Sequence, residues 1–411
     1  MRAKPFHVPN TLNTLIFKRL GFMNSLLDKA LLPAGMQDGL PPQAAQEAQT
    51  AERLIAQFDA WGYARVKPPL MEFEENLLFG TGKAVADQAF RVQDPMSQRM
   101  LALRPDMTLQ VARIAQSRLS RSPRPLRLAY AGQVARVKSS QLRPERQFGQ
   151  VGVELIGATG PAADIEVILM AAEALDGVGV ENLSVDLGLP TLCPAVIDDL
   201  DLDTDTRSTL KTALERKDAA TVKALSGALG DGVATALTQM LDAVGPAHEA
   251  LAKLDAIELP EQAALQRTHL RAVVDGILTA RPDLTLTLDP VESRGFEYHT
   301  GVTFTVFARA VMGELGRGGR YQAGTDDTSE PATGLSLFMD TVMLAVTPSD
   351  DVDTIFLPFN TPASDALRLR TEGWRTKAAL EKSDNVGAEA RRLGCSHVLQ
   401  DGTVCKLEDN A

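Results

Sequence analysis

The chain has 411 residues, with 42 Lys and Arg against 53 Asp and Glu, a net charge of -11, and hydrophobic and charged fractions of 44% and 23%. That length suits two or three domains around a large core. The acidic balance argues against a dominant nucleic-acid surface, because phosphate backbones are bound chiefly through Lys and Arg. No apolar run reaches membrane length, and three cysteines (Cys193, Cys395 and Cys405) fit a reducing cytoplasm without a disulfide framework.

Residues 1–30 read as a basic N-terminal extension, with Arg2, Lys4, Lys18, Arg19 and Lys29 against Asp28 alone. They lack the apolar segment and cleavage site of a secretory signal. Met23 begins a more ordinary start, so the first 22 residues read as a disordered arm or a start-codon artefact. A Pro/Gly-rich entry loop, 31–42, precedes a predicted helix from Gln43 to Trp61, with Ala48, Leu54, Ile55 and Phe58 as its apolar stripe and Gly62 as its stop. Residues 63–72 read as a strand broken by Pro68-Pro69, which places them at an edge or interface. Phe90–Gln93 and Met100–Leu103 form a hairpin across Asp94–Gln98. A helix follows near Leu109–Leu119, with Asp106 or Thr108 as a candidate N-cap.

The most informative stretch runs from Gln133 to Gly157, two β-rich segments flanking a polar, Arg-rich loop, which predicts an antiparallel hairpin with a long basic tip. Period-two spacing puts Gln150, Gly152 and Glu154 on one face. Two long polar side chains over a bare glycine could converge on a small zwitterion, Glu154 taking the ammonium group and Gln150 a polar side chain; a merely solvated polar face is the other reading.

Downstream, Ala162–Leu175 has a helical apolar face of Ile165, Ile168, Leu169 and Ala172, and Leu183–Gly188 reads as a short strand. Residues 190–281 read as an inserted helical lobe with helices at Thr204–Leu214, Ala219–Leu225, Val233–Asp242, Ala247–Leu254 and Ala263–Thr279; His248 and His269 stand alone within it. Strands resume at Leu284–Asp289 and Val302–Phe307. Gly313–Gly324 could cradle a phosphate or serve close backbone approach, and Ala332–Ala345 reads as a strand running into a helix. From 350 to 411 the pattern is a small α/β piece: strand Thr354–Leu357, helices Pro362–Leu380 and Ala388–Leu393, and a hairpin of His397–Gln400 with Thr403–Leu407 turning at Asp401-Gly402. Cys395, His397 and Cys405 lack the paired spacing and fourth ligand of a metal site.

These motifs together resemble the class II aminoacyl-tRNA synthetases, most of all the histidyl-tRNA synthetase branch. The segments that carry the resemblance are Pro33-Ala-Gly-Met-Gln-Asp38, the helix–strand–proline unit of motif 1, Leu103-Arg-Pro-Asp-Met-Thr108, the motif 2 run Arg146-Gln-Phe-Gly-Gln-Val-Gly-Val-Glu154, Arg294-Gly-Phe-Glu-Tyr-His-Thr-Gly301 and Gly318-Gly-Arg-Tyr321. The resemblance implies an α+β fold: an antiparallel sheet core (31–189 and 282–347) flanked by helices, with the helical insertion and the small C-terminal α/β piece. It also implies a homodimer through motif 1, and a pocket for a histidine-like amino acid lined by Asp106, Thr108, Gln150, Glu154, Arg294, Tyr298, His299 and Tyr321, with Arg136 at the position of the α-phosphate contact.

The sequence departs from that family where ATP is handled. Motif 2 begins Ala135-Arg-Val-Lys138, with Lys138 at the position of the acid that receives the adenine amino group; motif 3 has Phe338 for its second glycine and Thr341 for its arginine. A cation cannot accept that hydrogen bond, and threonine offers neither charge nor plane. The C-terminal piece is too short for the anticodon-binding domain. This pattern resembles the regulatory-subunit family of ATP phosphoribosyltransferase. The resemblance implies a non-catalytic, cytoplasmic protein without cofactor, metal, tRNA or membrane partner. It would activate a short-form catalytic subunit in the first step of histidine biosynthesis and bind histidine as feedback effector. The alternative is a histidyl-tRNA synthetase-like aminoacyl ligase.

Overall fold

A computed structural model describes residues 31–78, 86–139, 143–292, 298–324, 328–347 and 353–407. Residues 1–30, including the predicted extension, lie outside these. The described chain forms two compact units that divide after Thr347.

The strands of the first unit are β1 (Ala64–Arg65), β2 (Met71–Phe73), β3 (Arg91–Gln93), β4 (Met100–Leu103), β5 (Leu126–Ala135), β6 (Gln147–Ile156), β7 (Leu183–Gly188), β8 (Gly245–Pro246), β9 (Thr285–Asp289), β10 (His299–Ala308), β11 (Gly316–Ala323) and β12 (Glu330–Phe338). Nine of them make one sheet in the order β1-β5-β6-β12-β11-β10-β7-β9-β8, and β2-β4-β3 make a second. The expected hairpin is present: β5 and β6 pair antiparallel from Leu126↔Ile156 to Ala135↔Gln147. The proline break acts as its chemistry requires. Before Pro68-Pro69 the chain supplies β1, the edge of the large sheet, paired in parallel to β5; after it the chain leaves for the small sheet.

The helix Gln43–Ala60 ends through two bonds that satisfy its last carbonyls, Tyr63 N–H to Phe58 O at 3.0 Å and Gly62 N–H to Asp59 O at 2.8 Å. Gly62 has φ 83°, a conformation a side chain resists, so this residue type stops the helix. Within the helix Ala48 is exposed; the buried stripe is Thr50, Leu54, Ile55 and Phe58.

Alternation along β6 separates two cores. Val151, Val153 and Leu155 pack with the helices Gln43–Ala60 and Pro161–Gly177, and this core continues into the residues 190–281. Phe148 and Ile156 face the other side with Met107, Val111, Ala115, Tyr130, Tyr321 and Phe338, under the helix Thr108–Ser117. The predicted helices of 190–281 are present within a few residues, joined by two short ones, Leu192–Ile197 and Ser226–Leu229, that periodicity did not reveal. His269 does not stand alone: its Nε2 lies 2.7 Å from Asp164 Oδ2. The glycine-rich run is not a phosphate loop. Gly318 and Gly319 lie mid-strand in β11, between β10 and β12.

In the second unit, β13 (Thr354–Leu357), β14 (Arg375–Ala378), β15 (His397–Gln400) and β16 (Thr403–Lys406) form a sheet in the order β14-β13-β15-β16. The helix expected to run to Leu380 covers only Ala363–Thr371. Gly373, with φ 93°, turns the chain, and the next residues form β14, parallel to β13. No helix among the described residues is long and apolar enough to cross a membrane.

Candidate functional site

On the second face of the sheet, Glu154 is completely buried. Tyr321 donates its phenolic proton to Oε2 at 2.8 Å, and Tyr130 donates to Oε1 at 3.2 Å. The Tyr130 hydroxyl also lies 3.2 Å from Thr108 Oγ1 and 3.1 Å from Ser336 Oγ. Removal from water disfavours the charged form and pushes the Glu154 carboxyl up to about 8; the hydroxyls of Tyr321, Thr108 and Tyr130 pull it down, and the Asp106 charge adds to the rise.

Gln150 is also completely buried. Its Oε1 accepts Met107 N–H at 2.9 Å, while Nε2 donates to Asp106 Oδ2 at 2.9 Å and to Ser336 Oγ at 2.7 Å. Asp106 Oδ1 accepts Thr108 N–H at 2.8 Å, so one carboxylate holds the first N–H of the helix and reaches Gln150; the N-cap itself is Met107, without a side-chain cap bond, and not Asp106 or Thr108 as expected. The shared face predicted for Gln150 and Glu154 is therefore present, and it is buried rather than solvated.

The open gap expected over Gly152 is not present. Tyr130 sits opposite Gly152 in the hairpin register, and a Cβ on Gly152 would collide with the Tyr130 hydroxyl and with Leu335 O. The glycine accommodates the tyrosine that bridges Glu154, Thr108 and Ser336. Counting residues outward from the hairpin turn would have placed Tyr130 there. Ser336, on β12, comes from a strand whose register no local turn sets.

Tyr298 and Tyr321 meet edge to face with centroids 6.1 Å apart, and burial raises the pKa of both phenols. His299 stacks on Tyr298 at 4.2 Å. It also faces a separate cleft of about 500 Å³ that includes Cys193, Ile197, Leu210 and Val291. The structure thus brings Asp106, Thr108, Gln150, Glu154, Tyr298 and Tyr321 into one cluster and sets His299 at its boundary. Arg294 lies outside the described residues.

Arg136 stands beside this cluster, its Nε donating to Pro105 O at 3.1 Å. Burial lowers its pKa and Asp106 works against that fall. It lines a cleft of about 490 Å³ together with Lys138, Arg143, Glu314, Arg317 and Thr341. Lys138 pairs with Asp87 at 2.6 Å, and Thr341 donates to Glu314 O at 2.7 Å. Arg143, a residue the sequence did not single out, lies 3.9 Å from the Phe338 ring centroid and 5.0 Å from that of Phe148.

The cluster holds carboxylates, phenols and hydroxyls around one fully buried acid, a donor set suited to an ammonium group and a polar ring. The Histidyl-tRNA synthetase family profile matches residues 35–342. An ATP phosphoribosyltransferase regulatory subunit of Rhodospirillum centenum is 53% identical over 380 residues, covering 92% of this chain and 97% of the relative. One from Paramagnetospirillum magneticum is 51% identical over 386 residues, covering 94% and 100%. A crystal structure described as an ATP phosphoribosyltransferase regulatory subunit/histidyl-tRNA synthetase from Bacillus halodurans superposes with a TM-score of 0.75 at 24% identity, covering 88% of this chain and 96% of that one, a likeness of fold. The chain belongs to the ATP phosphoribosyltransferase regulatory subunits, a family with the class II histidyl-tRNA synthetase fold.

Proposed function

We propose that this chain is a non-catalytic, cytoplasmic subunit that activates a short-form ATP phosphoribosyltransferase catalytic subunit and conveys feedback inhibition by histidine. The observation that carries the reading is the buried Glu154 between Tyr321 and Tyr130, with its carboxyl pushed up to about 8. A carboxyl held near neutrality in a dry site ionises when a cation arrives, so the α-ammonium of histidine supplies the missing partner. Gln150 keeps Asp106 aimed at the site, Tyr298 and Tyr321 would supply ring faces for the imidazole, and Arg136, beside the cluster, would take the carboxylate; Arg294 and His299 complete the proposed set. The regulatory role is supported by the names of relatives that match over nearly their whole length.

Regulation needs two states of the complex that histidine binds unequally, with a coupling of about 1–3 kcal/mol. A homodimer through the Pro68-Pro69 region fits the edge position of β1. The deciding experiment is phosphoribosyl-ATP formation by the short-form catalytic subunit alone, with this chain, and with this chain plus histidine. Stimulation that histidine reverses is the expected result; no stimulation by the matched partner sinks the reading.

The match to the synthetase profile favours a second reading, an aminoacyl ligase. Lys138, paired with Asp87, and Thr341, engaged with the Glu314 carbonyl, speak against it, since Lys138 is no acceptor for the adenine amino group and Thr341 is no cation for the triphosphate. Histidine-dependent ATP–pyrophosphate exchange would replace the first reading with this one.

A further inference from the structure

The cleft beyond His299 is walled by residues that the amino-acid cluster does not use. Strands β7 and β9 run parallel and pair to their ends at Gly188 and Asp289. A proline follows soon after each, and Pro190 and Pro290 both line the cleft of about 500 Å³. In parallel sheets, ligands collect beyond the carboxyl ends of the strands, and a cleft of this volume suits a small molecule. The helix Leu192–Ile197 contributes Cys193 and Ile197 to the wall, and the helix Thr204–Glu215 contributes Leu210 and Leu214. These four side chains are at most 8% exposed. Burial pushes the Cys193 thiol up to about 12, so it stays a neutral part of the wall.

The rim is charged. Arg207, Leu210, Lys211 and Leu214 recur at helical spacing, so one face of their helix sets two cations beside two buried leucines. Both cations are exposed, and like charges one turn apart repel. Lys211 lies 3.8 Å from Glu215, which also lines the cleft. The Arg207 guanidinium has no ion pair among the described residues. Two cations against one acid leave a single positive charge above an apolar floor, which fits a monoanion better than a phosphate.

We infer that this cleft is a second binding site, for a small carboxylic acid with an apolar body, and that its occupancy alters the affinity of the cluster for histidine. The carboxylate would sit at Arg207 and Lys211, and the body against Leu210, Leu214 and Val291. His299 is the shared element: it lines the cleft and stacks on Tyr298 of the cluster at 4.2 Å. A body pressed against one side of that imidazole changes what the other side accepts. The coupling rests on the regulatory reading of the cluster; the carboxylate site does not.

The test is calorimetric titration of the full chain with octanoate and with octanol, probes that share an apolar body and differ in charge. Wild type should bind octanoate about tenfold more tightly than octanol, the scale of two exposed ion pairs. Arg207→Gln/Lys211→Gln, at two exposed positions, should lose about that factor for octanoate and nothing for octanol. Ile197→Phe, which adds bulk to the wall, should weaken both probes. Arg216→Gln/Lys223→Gln, on the same lobe but outside the lining, should match wild type. Equal affinity of wild type for the two probes overturns the site. So does full octanoate affinity in Arg207→Gln/Lys211→Gln, or an equal loss in Arg216→Gln/Lys223→Gln. Saturating octanoate should shift the histidine Kd at least about fivefold, and an unchanged Kd overturns the coupling. Wild type that binds octanoate but not histidine counts against the effector reading and leaves the carboxylate site standing.

Discussion

Tyr321 Oη and Glu154 Oε2 are 2.8 Å apart, both side chains are buried, and the two residues come from strands separated by β12. The phenol donates to the acid, so it stabilises the ionised form against the burial that opposes it. Tyr321→Phe removes that donor and drives the Glu154 carboxyl further up. Histidine should bind about 10- to 100-fold more weakly to this variant, the range for a hydrogen bond to a buried charged group. Unchanged affinity by titration calorimetry would show that the pair is structural only.

The raised carboxyl also makes binding proton-linked. At pH 7 a group titrating near 8 is mostly protonated, and an adjacent ammonium favours its ionised form. Binding should therefore release close to one proton at pH 7. Below pH 8, affinity should fall about tenfold per unit until the effector's own imidazole titrates near about 6.5. Stability runs the other way. Between the ordinary value of 4.5 and about 8 the native state holds the proton that the unfolded chain has lost. The contribution is thus complete below 4.5 and fades as pH rises through 8. Calorimetry in two buffers of different ionisation enthalpy measures the proton directly. Glu154→Gln should bind histidine roughly 100-fold more weakly and release none; it should leave activation of the catalytic subunit largely intact.

Two residues of this site were legible because strand periodicity is rigid: once the β5–β6 hairpin is drawn, Gln150 and Glu154 must share a face, whereas Asp106, Thr108, Tyr298 and Tyr321 were named only through the family resemblance. What stood on that face was less legible. Gly152 read as empty space, whereas its missing side chain makes room for Tyr130, a residue reached only by counting register across the hairpin. Ser336 and Arg143 were hidden for different reasons. One arrives on a strand brought alongside by long-range pairing, and the other lies in a loop that composition marked only as basic. In the C-terminal unit the helix was read too long because its polar, charged pattern continues past the glycine turn at Gly373, where backbone conformation rather than side-chain period decides.

Gly334 pairs with Glu154 in the β12–β6 register, and a Cβ at Gly334 would collide with Glu154 Oε2. Gly334→Ala keeps every polar group of the cluster and an ordinary strand backbone. The added methyl must push the carboxylate off Tyr321 or shift β12. Histidine affinity should fall at least about tenfold, with a stability loss of roughly 1–3 kcal/mol, as for one overpacked methyl. Full histidine affinity in the variant would mean that the effector does not use this carboxylate.

Asp164 is 1% exposed and gathers three elements. It accepts Arg320 Nη2 at 2.7 Å from β11 and Thr333 Oγ1 at 2.8 Å from β12, and lies 2.7 Å from His269 Nε2 on the helix Glu261–Ala280. Arg320, next to Tyr321 in sequence, would be left as a buried cation if the acid were removed, although the carbonyls of Ala158 and Gly160 would still accept from it. Asp164→Ala should therefore cost about 3–5 kcal/mol of unfolding free energy in urea titration. Asp164→Asn, which keeps an acceptor but no charge, should cost less. A loss below about 1 kcal/mol in the alanine variant would mean that the carbonyls alone satisfy Arg320, as for a pair whose attraction only matches its desolvation cost.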